Sequence, residues 1–355
     1  MKRVQIGDKF VSEHDPCFIV LEAGATHSGL DAARKLVDVA VESKADAVKF
    51  QILDPERLIG QKDVELSYKV LVNKETGNWQ ERKEPLIEIL KRRQMSRDEW
   101  VALKRYCDGH GIIFFATVDF PESVDFVAAL GCHAIKLASA DVNHYPLIRY
   151  AAKTMIPLML DTGSSTLGEI EKAVNIINEC GNDDIIIHHC PSGYPARLES
   201  INLRVITTLR QMFDCPIAFS DHTPGWDMDI AAVALGVSMV EKTITLDRTT
   251  KSCEHIMSLE PSEVGKFVSM IRDLEIALGN KRRLMGEQET QTKKKVRRSI
   301  FLKEDVAAGD VLTEDIIDFR RPGYGITPDV YHLALGRKFS KAIQKGTMIT
   351  WEDLR

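Results

Sequence analysis

Residues 112–139 read IIFFATVDFPESVDFVAALGCHAIKLAS. Two apolar runs, IIFFATV and AIKLAS, flank a helix-like stretch. Each run is apolar almost throughout rather than alternating, the pattern of a strand covered on both faces. The first ends at Thr117, the second at Lys136 and Ser139. A strand, a helix and a second strand in this order imply a right-handed parallel crossover.

On either side of this unit lie six more such runs: FIVLEAG, AVKFQI, PLMLDTG, DIIIHHC, PIAFSDH and SMVEKTI. Each closes in polar residues before a helix-like segment. Eight repeats of this rhythm predict an α/β fold, a (β/α)8 TIM barrel. The remaining run ends are Glu22, Lys49 with Gln51, Asp161, His189, Ser220 with His222, and Lys242 with Thr243. In a barrel the C-terminal strand ends meet over one mouth, so lysines, carboxylates, hydroxyls and histidines should converge there. Helices are expected over 31–42, 96–109, 167–179 and 261–278, with Asp31, Ser96 and Thr166 as opening caps. Residues 53–82 are polar and fit no period, so an extended loop near the mouth is expected.

After Leu278 the texture changes. GNKRRLMGEQETQTKKKVRR is highly charged and reads as a linker. The organisation expected is a barrel over 1–280, a linker over 281–296 and a small, mainly β module over 297–355. That module holds a weak repeat, Val306-x-x-Gly309-x-x-Leu312-Thr313 against Ile343-x-x-Gly346-x-x-Ile349-Thr350, each copy predicting two short strands joined at glycine. Between the copies, 329–335 predicts a short helix ended by Gly336. A module this small is expected to pack on the barrel or on another subunit.

Composition excludes several classes. The net charge of −5 gives no support for nucleic-acid or anionic-membrane binding. No apolar run approaches the ~20 residues that cross a bilayer. The opening MKRVQIGDKF lacks the apolar region of a secretory signal, and seven scattered cysteines without a CxxC pair suit reduced thiols, so a cytoplasmic location is expected. The basic residues Lys293, Lys294, Lys295, Arg297 and Arg298 read as a solvated hinge.

Lys49 and Lys136 each sit inside an apolar strand, where a lysine is costly unless it meets an anion. They read as a structural ion pair, as a phosphate or carboxylate clamp with Thr117, Ser139 and Ser220, or as a Schiff-base lysine. His222, in SDHTPG, lies near His189, Glu22, Glu254 and His255, where imidazole and carboxylate suit a divalent metal. Glu241 and Lys242 read as a buried pair. RRPGYGI, 320–326, sets Arg321 between tight turns, as an ordinary solvated arginine or as one delivered to a site.

The motifs, in order, resemble those of the sialic acid (N-acetylneuraminate) synthase family, with its legionaminate, pseudaminate and spore-coat relatives. EAGATHSG, VKFQ, KLAS, NHYPLI, DTGSS, HHCPSGYP, FSDHTPG and EHIMSLEP carry the likeness, and RPGYGI resembles the loop of an antifreeze-like (SAF) domain. The resemblance implies condensation of phosphoenolpyruvate with an N-acyl hexosamine such as N-acetylmannosamine. It also implies Lys49, Thr117, Lys136, Ser139 and Ser220 around phosphoenolpyruvate; Gln51, Asp141, Tyr194, Glu254 and Arg321 around the sugar; and Glu22, His222 and Lys136 as catalytic. A divalent cation, Mn2+ or Mg2+, on His222 and a domain-swapped homodimer supplying Arg321 are implied as well. Four positions depart from the family pattern: Thr243 stands for a second metal histidine, Asp161 for a serine, Ser192 for an asparagine and Asp141 for a glutamate. A Schiff-base barrel aldolase or lyase, and a non-catalytic sugar-acid binder, are the alternatives.

Overall fold

The computed structural model describes residues 2–355, which fall into two compact units divided after Gly279. In the first, eight strands close a barrel: β1 (Phe18–Glu22), β2 (Ala47–Ile52), β3 (Ile113–Val118), β4 (Ile135–Leu137), β5 (Leu158–Asp161), β6 (Ile185–His189), β7 (Ile217–Asp221) and β8 (Met239–Thr243). Each pairs in parallel with its sequence neighbours, and β8 closes on β1. All eight predicted strands are present.

Alternation along each strand sorts the side chains. Phe18, Val20, Ala47, Ile113, Phe115, Met159, Ile186, Ala218 and Met239 fill the lumen, where Val4, Ile6 and Val11 of an antiparallel hairpin join them. Residues of the opposite parity, such as Leu21, Phe50, Phe114, Leu160 and Phe219, pack under the helices. Phe50 stacks on Phe114 and meets Trp100 edge-on. Each such ring contributes about 1.5–3 kcal/mol through burial. With the lower lumen apolar, the polar residues one step further along each strand form the layer beneath the mouth.

The helices over 97–109, 167–179 and 261–278 match expectation, and Ser96 and Thr166 cap two of them with full capping boxes. Asp31 is not a cap. The helix Leu30–Glu42 starts one residue earlier, behind Gly29, with no side-chain cap. Gly29 sits at φ +114°, a conformation that suits glycine.

Residues 53–82 are more ordered than expected. A short helix, Pro55–Leu58, precedes an antiparallel hairpin of Glu65–Leu71 and Trp79–Pro85. Leu66, Tyr68 and Val70 alternate inward onto Ile89 and Cys253, a period of two that the charged residues between them obscured.

In the second unit the charged stretch carries a helix, Glu287–Val296, with no buried residue. The repeat halves pair with each other: Val306 and Ile343 exchange backbone hydrogen bonds, and Gly309 and Gly346 both turn at positive φ. The paired strands Ser299–Leu302 and Ile317–Arg320 complete a core around Ile300, Phe339 and Ile349. Residues 331–333 form a single 3-10 turn rather than a helix. No helix among the described residues is long and apolar enough to cross a membrane.

Candidate active site

Barrel register brings the inward polar residues together. Glu22 lies opposite Lys49, Gln51 opposite Thr117, Thr117 opposite Lys136, Asp161 opposite His188, Ser220 opposite Glu241 and Thr243 opposite Glu22. Lys49 Nζ sits 2.7 Å from Glu22 and 2.6 Å from Glu241. Lys136 Nζ, fully buried, sits 2.7 Å from the other Glu241 oxygen and 2.9 Å from Asp161. Ser220 donates to Asp161 at 3.1 Å, and His188 Nδ1 lies 2.9 Å from Ser220 and 3.2 Å from Lys136. One network thus joins Glu22, Lys49, Glu241, Lys136, Asp161, Ser220 and His188.

Its electrostatics follow from burial and pairing. Burial drives the Glu22 carboxyl up, with Glu241 adding and Lys49 opposing. Burial would also raise Glu241, but Lys136 and Lys49 hold it well below the usual carboxylate range. Burial pulls Lys49 down, yet Glu22 and Glu241 hold it well above the ordinary lysine value. Burial, with Lys136 nearby, pushes His188 down to about 3, so its ring is neutral. Two cations face three carboxylates, and of Glu22 and Glu241 it is Glu22 that accepts a proton more readily.

Two expectations about parity need correction. Lys242 does not join Glu241. It points out of the barrel, ion-paired with Asp221, 3.5 Å from Asp229 and donating at 2.7 Å to the Thr223 carbonyl. His189 also faces outward and bonds the Ile201 carbonyl at 2.6 Å. The inward histidine is His188, which strict alternation from Ile186 identifies.

Thr117 is buried and makes no hydrogen bond among the described residues, so its hydroxyl is free for a ligand. Ser139 accepts from the Gly163 backbone N–H at 2.9 Å. Gln51 reaches Glu22 at 3.4 Å. Gly24 lets this corner close, since a Cβ there would lie 2.4 Å from the Gln51 nitrogen and 2.7 Å from a Glu22 oxygen. At the rim, Tyr194 packs on His222 with ring centroids 4.8 Å apart, and His222 Nδ1 lies 3.1 Å from the Pro191 carbonyl. That contact places the proton on Nδ1 and leaves the Nε2 lone pair open. Asp141 lies 3.3 Å from His144. Ser192 bonds Ser164 at 2.8 Å. Arg321 belongs to the second unit, on an exposed loop.

Glu254 lies 3.6 Å from Arg93, a residue the sequence reading passed over. Burial raises the Glu254 carboxyl to about 7 despite Arg93. The donors do not build a metal centre. Among the described residues no three His, Cys, Asp or Glu side chains are grouped to hold an ion, and Thr243 offers only a neutral hydroxyl.

A lumen of paired lysines and carboxylates at strand ends suits several barrel chemistries, and comparison with known proteins decides among families. The NeuB family model matches residues 36–283, and the SAF domain model matches 297–355. The chain belongs to the NeuB family. It is 33% identical to the N,N'-diacetyllegionaminic acid synthase of Legionella pneumophila, over 95% of this chain and 94% of that one. It is 31% identical to the human N-acetylneuraminate-9-phosphate synthase, over 97% and 94%. The crystal structure of the N-acetylneuraminic acid synthetase of Leptospira borgpetersenii superposes with a TM-score of 0.71 at 28% identity, covering 82% of this chain and 95% of that one. The expected family, the barrel and the SAF module are therefore all present in this NeuB-family chain.

Proposed function

We propose that the chain is a nonulosonic acid synthase. It would join phosphoenolpyruvate to an open-chain N-acyl hexosamine, giving a nine-carbon 2-keto-3-deoxy sugar acid and phosphate. The observation that carries this is the pair of lumen lysines, Lys49 and Lys136, in one hydrogen-bonded layer with Ser220 and beside the free hydroxyl of Thr117. Glu22, Glu241 and Asp161 meet the lysines as an anionic ligand would. Asp161 is the one nearest solvent, with 12% of its side chain exposed. Phosphoenolpyruvate would take its place on Lys136, with Ser139 adding a hydroxyl. The named activities of the relatives support the same reaction class.

In the reaction, C3 of the enol attacks the aldehyde carbon of the sugar, whose oxygen takes a proton from solvent. The cation left at C2 takes water, and Glu22 accepts a proton from that water. The tetrahedral carbon then collapses to the ketone as its bond to the phosphate oxygen breaks. Gln51, Asp141, Tyr194 and Glu254 line the sugar side, and the open Nε2 of His222 accepts a hydrogen bond from the acceptor. The resemblance also implies Mn2+ or Mg2+. One imidazole with Thr243 does not fit a cation held by the protein, and no step is assigned to one. Arg321, delivered by the partner in a homodimer, would complete the sugar site.

A Schiff-base aldolase requires a neutral lysine, whereas Lys49 and Lys136 are both held as ion pairs. The test is phosphate release from phosphoenolpyruvate with a panel of N-acyl hexosamines, before and after chelation. Acceptor-dependent release supports the synthase. Borohydride trapping of a keto acid on the protein, with no acceptor-dependent release, overturns it.

A further inference from the structure

A second polar cavity, of about 110 Å3, opens between the ends of β1 and β8 and the residues before Ser96; Thr26, His27, Arg93, Thr245 and His255 are among its walls. It has donors and few acceptors. His27 is 3% exposed, and its Nδ1 accepts the Gly29 N–H at 3.3 Å. In a neutral imidazole the proton then sits on Nε2, and that nitrogen is buried without a partner. The Nε and Nη1 groups of Arg93 are likewise buried and without hydrogen bonds, Glu254 lying 3.6 Å away. Arg92, by contrast, is satisfied by a two-pronged contact with Glu84.

Buried donors without acceptors are uncommon, because each carries a desolvation cost. Here two residues leave such donors on one cavity. The helix Leu30–Glu42 also begins on its wall, at Ser28 and Ala32, and has no side-chain cap. The free N–H groups and positive dipole end of a helix favour an anion. Charge agrees. Burial raises the Glu254 carboxyl to about 7, so near neutrality it carries only part of a charge to answer the Arg93 guanidinium.

We propose that this cavity is an oxyanion subsite that takes a phosphate group through Arg93, the His27 Nε2–H and the uncapped helix start. Two sources share that chemistry: a phosphate ester on the acceptor sugar, and free inorganic phosphate. Only the first rests on the synthase reading.

The test uses the full-length protein saturated with phosphoenolpyruvate and without acceptor, so that the lumen lysines are occupied. Inorganic phosphate is titrated in by calorimetry, and kcat/KM is then compared for an N-acyl hexosamine and its 6-phosphate. Arg93→Leu should weaken phosphate binding by about tenfold or more, the loss expected for a charge-assisted pair. Arg93→Lys should recover part of it. His27→Phe keeps the ring packing against Phe50 and Trp100 while removing the Nε2 donor together with the Nδ1 acceptor of the Gly29 N–H, and it should weaken binding as well. A preference for the phosphorylated sugar that Arg93→Leu abolishes identifies the acceptor as the source. Arg93-dependent phosphate binding without that preference identifies free phosphate. If no acceptor turns over but binding still depends on Arg93, the synthase reading fails and the subsite stands. Phosphate binding and sugar preference both unchanged in the folded Arg93 and His27 variants would overturn the subsite.

Discussion

Lys136 has no exposed surface and meets Glu241, Asp161, His188 and Ser220 at once. Removing one member of a buried pair leaves a charge uncompensated, at a cost of about 3–5 kcal/mol. Lys136→Met should therefore abolish phosphate release and lower the urea midpoint together. A variant with wild-type stability would mean that the pairs contribute little. Asp161 competes with an incoming anion for Lys136, so Asp161→Ser should lower the KM for phosphoenolpyruvate; a raised KM would assign Asp161 to binding. His255 bonds Thr245 at 2.7 Å, and burial lowers it from 6.5 to about 4. The unfolded chain then binds a proton that the folded one does not. The contribution of His255 is complete above about pH 6.5 and is lost as pH falls toward 4. Between those values His255→Gln should flatten the rise of stability with pH by about 1.4 kcal/mol per pH unit. Urea titrations at several pH values measure this, and an unchanged slope would mean that His255 is charged in the folded state.

At the scale of the element, strand alternation decides roles that adjacency in sequence hides. Glu241 and Lys242 are neighbours, yet one faces the lumen and the other the helix layer with Asp221 and Asp229. The two pairs should separate in mutants. Lys242→Met should cost stability while leaving the KM for phosphoenolpyruvate near wild type, whereas Glu241→Gln should change that KM. Equal effects on KM would place both in one site. The same parity picks out His188 over His189. It also picks out the inward face of the hairpin over 65–85, where alternating charged residues resembled a loop. The helix from Leu30 illustrates the converse, because its true start depends on the backbone turn at Gly29 and not on the acidic residue beside it.

At the scale of the whole molecule, the chain is a barrel unit and a SAF unit, and the acceptor site is proposed to draw on both through a partner subunit. Arg321→Ala should then raise the KM for the acceptor with little change in thermal stability, because the residue is exposed on its own unit. An unchanged KM removes the SAF unit from the site. By itself the sequence determined the eight strands, the order of the two units and most of the lumen residues. Apolar runs, caps and polar strand ends are local signals, and barrel closure follows from their repetition. Only the tertiary structure decided which carboxylate meets which lysine, that Arg93 reaches Glu254, and that His27 and Arg93 leave donors unmatched on one cavity. These depend on register between strands and on side chains that meet from distant elements, distances that no local pattern encodes.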